Sequence, residues 1–290
     1  MAHVQLHLFV KGQAHGSRLR KRQGRRLAPV RPSRANELWY KAELLKLVRH
    51  IRQLIRDEVY PDLKAYVQSQ PKVTDGLVGD AVPRRSLDTS LNRVAQRMGG
   101  IDKAAQRLAD LAVQKNLQAV DERLTKSIKT SVSVDISAAL TKAGPIQQAM
   151  AAATQANVEL ITSIPTQYLE KVGKAVTENY VDGMRWEDLA KVIEQVGDVT
   201  ESRAKLIARD QTSKMNGSFN EARQTSLGID QYIWQTSGDE RVREEHAAND
   251  GKVFSWNEPP ATGHPGEDIN CRCVAVPYFD LDKMEEETFQ

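Results

Sequence analysis

The stretch Trp234-Gln-Thr-Ser-Gly-Asp-Glu-Arg-Val-Arg-Glu-Glu-His246 continues through Asn249-Asp-Gly251, Pro259-Pro260 and His264-Pro265 to Asn270-Cys-Arg-Cys273. It holds both cysteines of the chain and two of its six histidines. Gly and Pro divide it into short polar turns, so these side chains cannot share one face of a long helix. Around them, Tyr232-Ile-Trp234, Val253-Phe254 and Cys273 to Val276 have the composition of strands. Residues 229–279 therefore read as a small α+β module, poor in apolar residues and in need of a staple.

Upstream the texture is helical. Leu44, Val48, Ile51, Ile55 and Val59 recur at spacings of three and four, up to a break at Pro61. A loop marked by Pro71, Gly76, Gly79 and Pro83 follows. A second helical region, 86–129, is divided at Gly99-Gly100. Residues 131–136 alternate Val132, Val134 and Ile136 and read as a short strand or an extended linker. Helices are then expected over 146–164, from Pro165 to about Tyr180, from Trp186 to Gly197, and from Thr200 to Leu227 with a stop at Gly228. The fold class is thus α+β: a mostly helical body of long amphipathic helices over 37–228, followed by the module.

The net charge of +3 conceals an asymmetry. Residues 1–36 hold nine Lys or Arg, among them Arg18, Arg20, Lys21, Arg22, Arg25 and Arg26, and no Asp or Glu. They read as a flexible basic arm, either simply solvated or suited to neutralising a polyanion such as double-stranded DNA without sequence preference. An acidic protein surface would serve equally well. Residues 280–290 read as an acidic tail. No apolar run approaches the eighteen residues of a membrane span. The short apolar patch Val4–Val10 precedes its charges instead of following them, which is the wrong order for a signal peptide. Two cysteines one residue apart do not form an unstrained disulfide, which points to a reducing compartment.

Within the decisive stretch several readings compete. His246, His264, Cys271 and Cys273 could together close a tetrahedral structural zinc site, although Cys-x-Cys is tighter than the usual Cys-x₂-Cys spacing. Equally, both cysteines could be small buried hydrophobes and both histidines turn caps. Asp239, Arg241, Arg243, Glu245 and His246 gather acid, cations and base, the ingredients of a phosphodiesterase. The same residues also read as a charged helix face pairing Asp239 with Arg243 and Arg241 with Glu245. Asn249-Asp250-Gly251 is turn chemistry with a positive φ at Gly251. Trp234 and Trp256 are candidate core.

The order Trp234…Asp239-x-Arg241-x-Arg243-x-x-His246…Asp250-Gly251…Pro260…His264-Pro265…Cys271-Arg-Cys273 resembles the C-terminal signature of the Mu F-like minor head protein family of phage head morphogenesis proteins. Asn157-x-x-Leu-Ile161, Gly183-x-x-Trp186 and Leu206-Ile-Ala-Arg-Asp210 followed by Asn216 extend the similarity over roughly 145–277. One departure is Asp210-Gln211, where the family commonly has Thr-Glu. The resemblance implies a non-enzymatic minor capsid protein of a tailed phage. Such a protein acts in procapsid assembly beside the portal protein and the major capsid or scaffolding protein. It resides in the virion interior near the portal, and in host cytoplasm during assembly. The resemblance also favours a folding role for the Cys/His cluster, with Asp239, Arg241 and Arg243 bracing it. The alternative is a nuclease-like phosphodiesterase using His246 with Arg241 or Arg243.

Overall fold

The computed structural model describes residues 25–69, 84–132, 135–140, 144–179 and 185–279. The helices are α1 (Arg34–Glu58), α2 (Tyr60–Ser69), α3 (Arg84–Arg97), α4 (Ile101–Val132), α5 (Ser137–Leu140), α6 (Pro145–Asn179), α7 (Trp186–Ser226) and the short α8 (Glu244–Ala247). The strands are β1 (Arg25–Arg26), β2 (Gln231–Gln235), β3 (Val253–Ser255) and β4 (Val274–Phe279). They form one antiparallel sheet in the order β1-β4-β2-β3. The mostly helical α+β class read from the sequence is the class observed.

The chain forms two compact units. One contains Leu38–Ala109 and Ala156–Ala208. Its core is the apolar stripe of α1, with Tyr40, Leu44, Val48, Ile51 and Ile55 all buried, together with Ile161, Tyr168, Val172 and Val176 of α6. The Tyr40 hydroxyl donates to Asn157 Oδ1 at 2.8 Å, which satisfies two buried polar groups at once. The other unit comprises the described residues of Met1–Glu37, Asp110–Gln155 and Arg209–Gln290. It carries the sheet, the C-terminal part of α7 and part of α4. The boundary expected at 228 is therefore not a packing boundary, because the module is built onto α7. The amides of Asn220 and Gln224 both donate to Ala275 O, and Trp256 Nε1 donates to Gln224 Oε1.

Several local expectations need correction. The basic arm does not extend to residue 36. Arg25 and Arg26 pair with Phe279 and Tyr278, and Leu27 and Val30 are buried. Three side chains donate to the backbone of this extended segment: Ser127 to Ala28 O, Arg123 to Arg31 O and Asn216 to Val30 O, at 2.9–3.0 Å. Two apolar anchors and backbone groups free of local secondary structure let it act as an edge. Arg18, Arg20, Lys21 and Arg22 lie outside the described residues, as do the loop at 70–83 and the acidic tail 280–290. Among the described residues of 131–136 no strand forms; α4 runs through Val132 and α5 begins at Ser137. Pro165 lies inside α6 and opens no new helix. The buried stripe Ile161, Ile164, Tyr168 is continuous across it, and packing outweighs the one lost N–H.

Gly197 likewise stops nothing, since α7 is one helix of 41 residues. A Cβ there would meet the Arg52 guanidinium and come within 2.7 Å of the Tyr168 hydroxyl, so its smallness serves close approach. No helix starts at Thr200, which lies within α7, and its hydroxyl donates back to Val196 O at 2.9 Å. Gly228 does end α7, with φ +74° and the Ile229 N–H reaching Gln224 O at 2.9 Å, a Schellman closure.

Candidate metal centre

Strand periodicity explains the tight Cys-x-Cys. With a period of two, Cys271 and Cys273 enter the same face of the chain leading into β4, and Arg272 is sent the other way. Both thiols join Tyr232 and Trp234 of β2, Trp256 and Ala275 in one buried cluster. Ile233, Val274 and Val276 form the opposite face. His246 arrives on α8, whose single turn begins after the extended Arg243. Its ring is buried edge-on against Trp234, with centroids 5.3 Å apart.

The three side chains converge. His246 Nδ1 lies 3.6 Å from the sulfur of Cys271 and 3.6 Å from that of Cys273. All three donor atoms lie within 4.8 Å of one another. His246 Nε2 is 2.9 Å from Asp268 Oδ2, so a proton on Nε2 is held there and the Nδ1 lone pair faces the thiols. The Cys271 thiol is drawn well below the usual thiol range, because Cys273 S–H and the backbone N–H groups of Cys273 and Gly266 donate to its thiolate. Cys273 is pushed up by that same bond, as the member that keeps its proton. The Trp234 indole nitrogen is buried without a well-formed hydrogen bond, and its N–H bears on the Cys273 sulfur. One imidazole lone pair, one ready thiolate and a second thiol, braced by a carboxylate behind the histidine, suit a borderline-soft cation such as Zn²⁺.

The four-ligand set expected from the sequence is not assembled. His264 sits elsewhere in the same core. Its Nδ1 is 2.9 Å from the Tyr232 hydroxyl and its ring lies 4.9 Å from that of Trp256. Its backbone N–H donates to Glu267 Oε2, which closes the His264-Pro265 turn. Beyond that turn the chain passes tightly over α7. A Cβ on Gly217 would come within 2.8 Å of Pro265 O.

The charged run 239–246 is not a helix face. Asp239 pairs with Arg272 across 33 residues, with Arg241 3.8 Å away. Arg243 binds Asp268 Oδ2 at 3.2 Å and Ile269 O at 2.9 Å. These residues brace the two loops that carry the thiols and the imidazole. Asp250 Oδ1 accepts from both the N–H and the hydroxyl of Thr236, and Gly251 has φ +76° and donates to Trp234 O. Both cross-links fasten the turn after α8 to the end of β2.

Sequence reading missed the supports. Asp268 orients His246, yet Glu267-Asp268 has no spacing that marks it. Asp210 accepts from the Asn270 N–H at 2.9 Å and Ser213 Oγ donates to Cys271 O at 2.7 Å, which ties the Cys-x-Cys loop to α7. At the departure Asp210-Gln211, Asp210 itself reaches the loop.

The molecule is thus a mostly helical α+β protein whose antiparallel sheet closes a buried thiol–imidazole site against one long helix. Residues 170–276 match the model of the Phage Mu protein F like protein family, so the segment that builds this site is a Mu F-like segment. The chain is also 34 % identical over 267 residues to an uncharacterized protein of Haemophilus influenzae, a match covering 91 % of this chain and 58 % of that protein. The chain therefore spans little more than half the length of this curated relative. No solved structure matches.

Proposed function

We propose that the protein is a minor capsid protein acting in head morphogenesis of a tailed phage. It would work in procapsid assembly beside the portal and within the virion. The observation that carries this reading is the family match over 170–276, which takes in β2, β3, the start of β4 and the His246–Cys271–Cys273 cluster. Among the described residues no helix is long and apolar enough to cross a membrane. Co-purification with portal or major capsid subunits is the expected result. Absence from purified virions and procapsids alike would overturn the reading.

The phosphodiesterase alternative has weaker support. His246 is 2 % exposed, with one ring nitrogen committed to Asp268 and the other between two sulfurs. A general base needs a free lone pair within reach of substrate. Arg243, its suggested partner, is occupied by Asp268 and Ile269 O.

The cluster is better suited to holding the module together. His246, Cys271 and Cys273 would hold a zinc ion, which would supply cross-linking between the α8 loop and the start of β4. Elemental analysis of the purified chain should find about one zinc per chain. Cys271→Ser should lose it and His264→Ala should keep it, because His264 lies outside the triad. A folded wild-type protein without metal would refute the assignment.

A further inference from the structure

Three arginines near the Cys/His cluster offer no donor atom to it: Arg209, Arg241 and Arg272. They converge with Arg31 and Arg34 on the lining of one open cavity of about 470 Å³. The carboxylates available to these five guanidinium groups are Glu37, taken by Arg34, and Asp239, taken by Arg272 with Arg241 close by. Among the described residues, three positive charges are left unmatched. Arg209 is gripped through Nε and Nη2 by Asn270 Oδ1, at 2.8 and 2.6 Å. That neutral acceptor aims the guanidinium without neutralising it. Arg31 makes no ion pair among the described residues, and its own carbonyl is fixed by Arg123. Ser237 Oγ, in the same lining, is buried without a hydrogen-bond partner and is free to donate.

Like charges gathered this closely repel unless an anion joins them. Planar guanidinium forks match the oxygens of phosphate. The lining contains no aromatic ring on which a base could stack, so recognition falls to the backbone and not to the bases. We propose that this pocket binds the phosphates of double-stranded nucleic acid without sequence preference. The site stands on the folded core of the sheet-bearing unit. It is distinct from the basic residues 18–26 and does not depend on a role in the capsid.

The test uses the full-length chain and a mixed-sequence DNA duplex of about 20 base pairs, followed by fluorescence anisotropy across a salt series. Changing Arg31, Arg209 and Arg241 together to alanine should weaken binding about tenfold or more. It should also lower the slope of log affinity against log salt by roughly 2 to 3, since each phosphate no longer neutralised removes close to 0.9. The residues upstream of β1 are identical in both proteins, so their contribution cancels. Lys171→Ala with Lys205→Ala, exposed cations of the other unit, should leave the slope unchanged. If the alanine variant loses cooperative melting, glutamine at the same three positions keeps part of each stem and removes the charge. Unchanged affinity and slope in a folded triple variant would overturn the proposal, as would equal weakening in the lysine control. Inorganic pyrophosphate, as sole ligand in a thermal-shift experiment, forms the other arm. Stabilisation lost in the triple variant, alongside unchanged duplex binding, would give the pocket to a free phosphate and overturn the nucleic-acid assignment.

Discussion

Trp234→Ala is expected to cost the sheet-bearing unit about 3–5 kcal/mol, the range for removing a fully buried large aromatic. Trp234 is 0 % exposed and lies centrally in β2, paired with Ala275 of β4. Its ring packs edge-on against both His246 and Phe254. The alanine would leave a void beside the imidazole and both thiols, in a cluster of six buried residues that also holds Tyr232 and Trp256. Because both cysteines of the chain are buried here, their reactivity reports on opening of this unit directly. The rate of labelling by a thiol reagent should rise by about two orders of magnitude or more, following the stability loss at about 1.4 kcal/mol per tenfold. A change below tenfold would mean that the indole is not the centre of packing.

Asp121→Ala should be nearly as damaging, at about 3 kcal/mol, because it strands a charge and removes little apolar surface. Arg223 of α7 is 5 % exposed. It grips Asp121 of α4 with two parallel bonds, Nε to Oδ1 at 2.7 Å and Nη2 to Oδ2 at 2.8 Å, and its third nitrogen donates to Leu140 O. Removing the carboxylate leaves a guanidinium out of water with one neutral acceptor. Asp121→Leu combined with Arg223→Met should recover most of the loss, since a buried pair replaced by apolar residues is often neutral. Chemical denaturation of the two variants and the wild type decides this. A single variant as stable as wild type would show that water reaches the pair and compensates it.

Legibility in the sequence followed the range of the interaction. The periodicity of Leu44, Val48, Ile51 and Ile55 revealed α1, because a helix repeats its buried face every three or four residues. Gly228 announced the end of α7 and Gly251 its turn, because each needs only a positive φ. Pro165 and Gly197 misled for the converse reason. Both are local breakers, yet the surrounding packing is long-range and outweighs them. β1 escaped notice because two residues carry no period, and its pairing partner lies some 250 residues away at Tyr278 and Phe279.

The candidate site divides in the same way. The stretch from Trp234 to Cys273 by itself determined the chemistry on offer: two thiols on one face by a period of two, nearby imidazoles, and a loop-rich module in need of a staple. Only the tertiary structure decided which imidazole serves. His246 and His264 are equivalent as residue types, but α8 turns one toward the thiols while the His264-Pro265 loop lays the other against Tyr232 and Trp256. The structure alone likewise supplied Asp268 behind His246, paired Asp239 with Arg272 instead of Arg243, and brought Arg31, Arg209 and Arg241 from three distant parts of the chain to one cavity. Composition and spacing encode what a residue can do and which way it faces along its own element. Its partner is chosen by how that element packs on others far away in sequence, and no local pattern carries that choice.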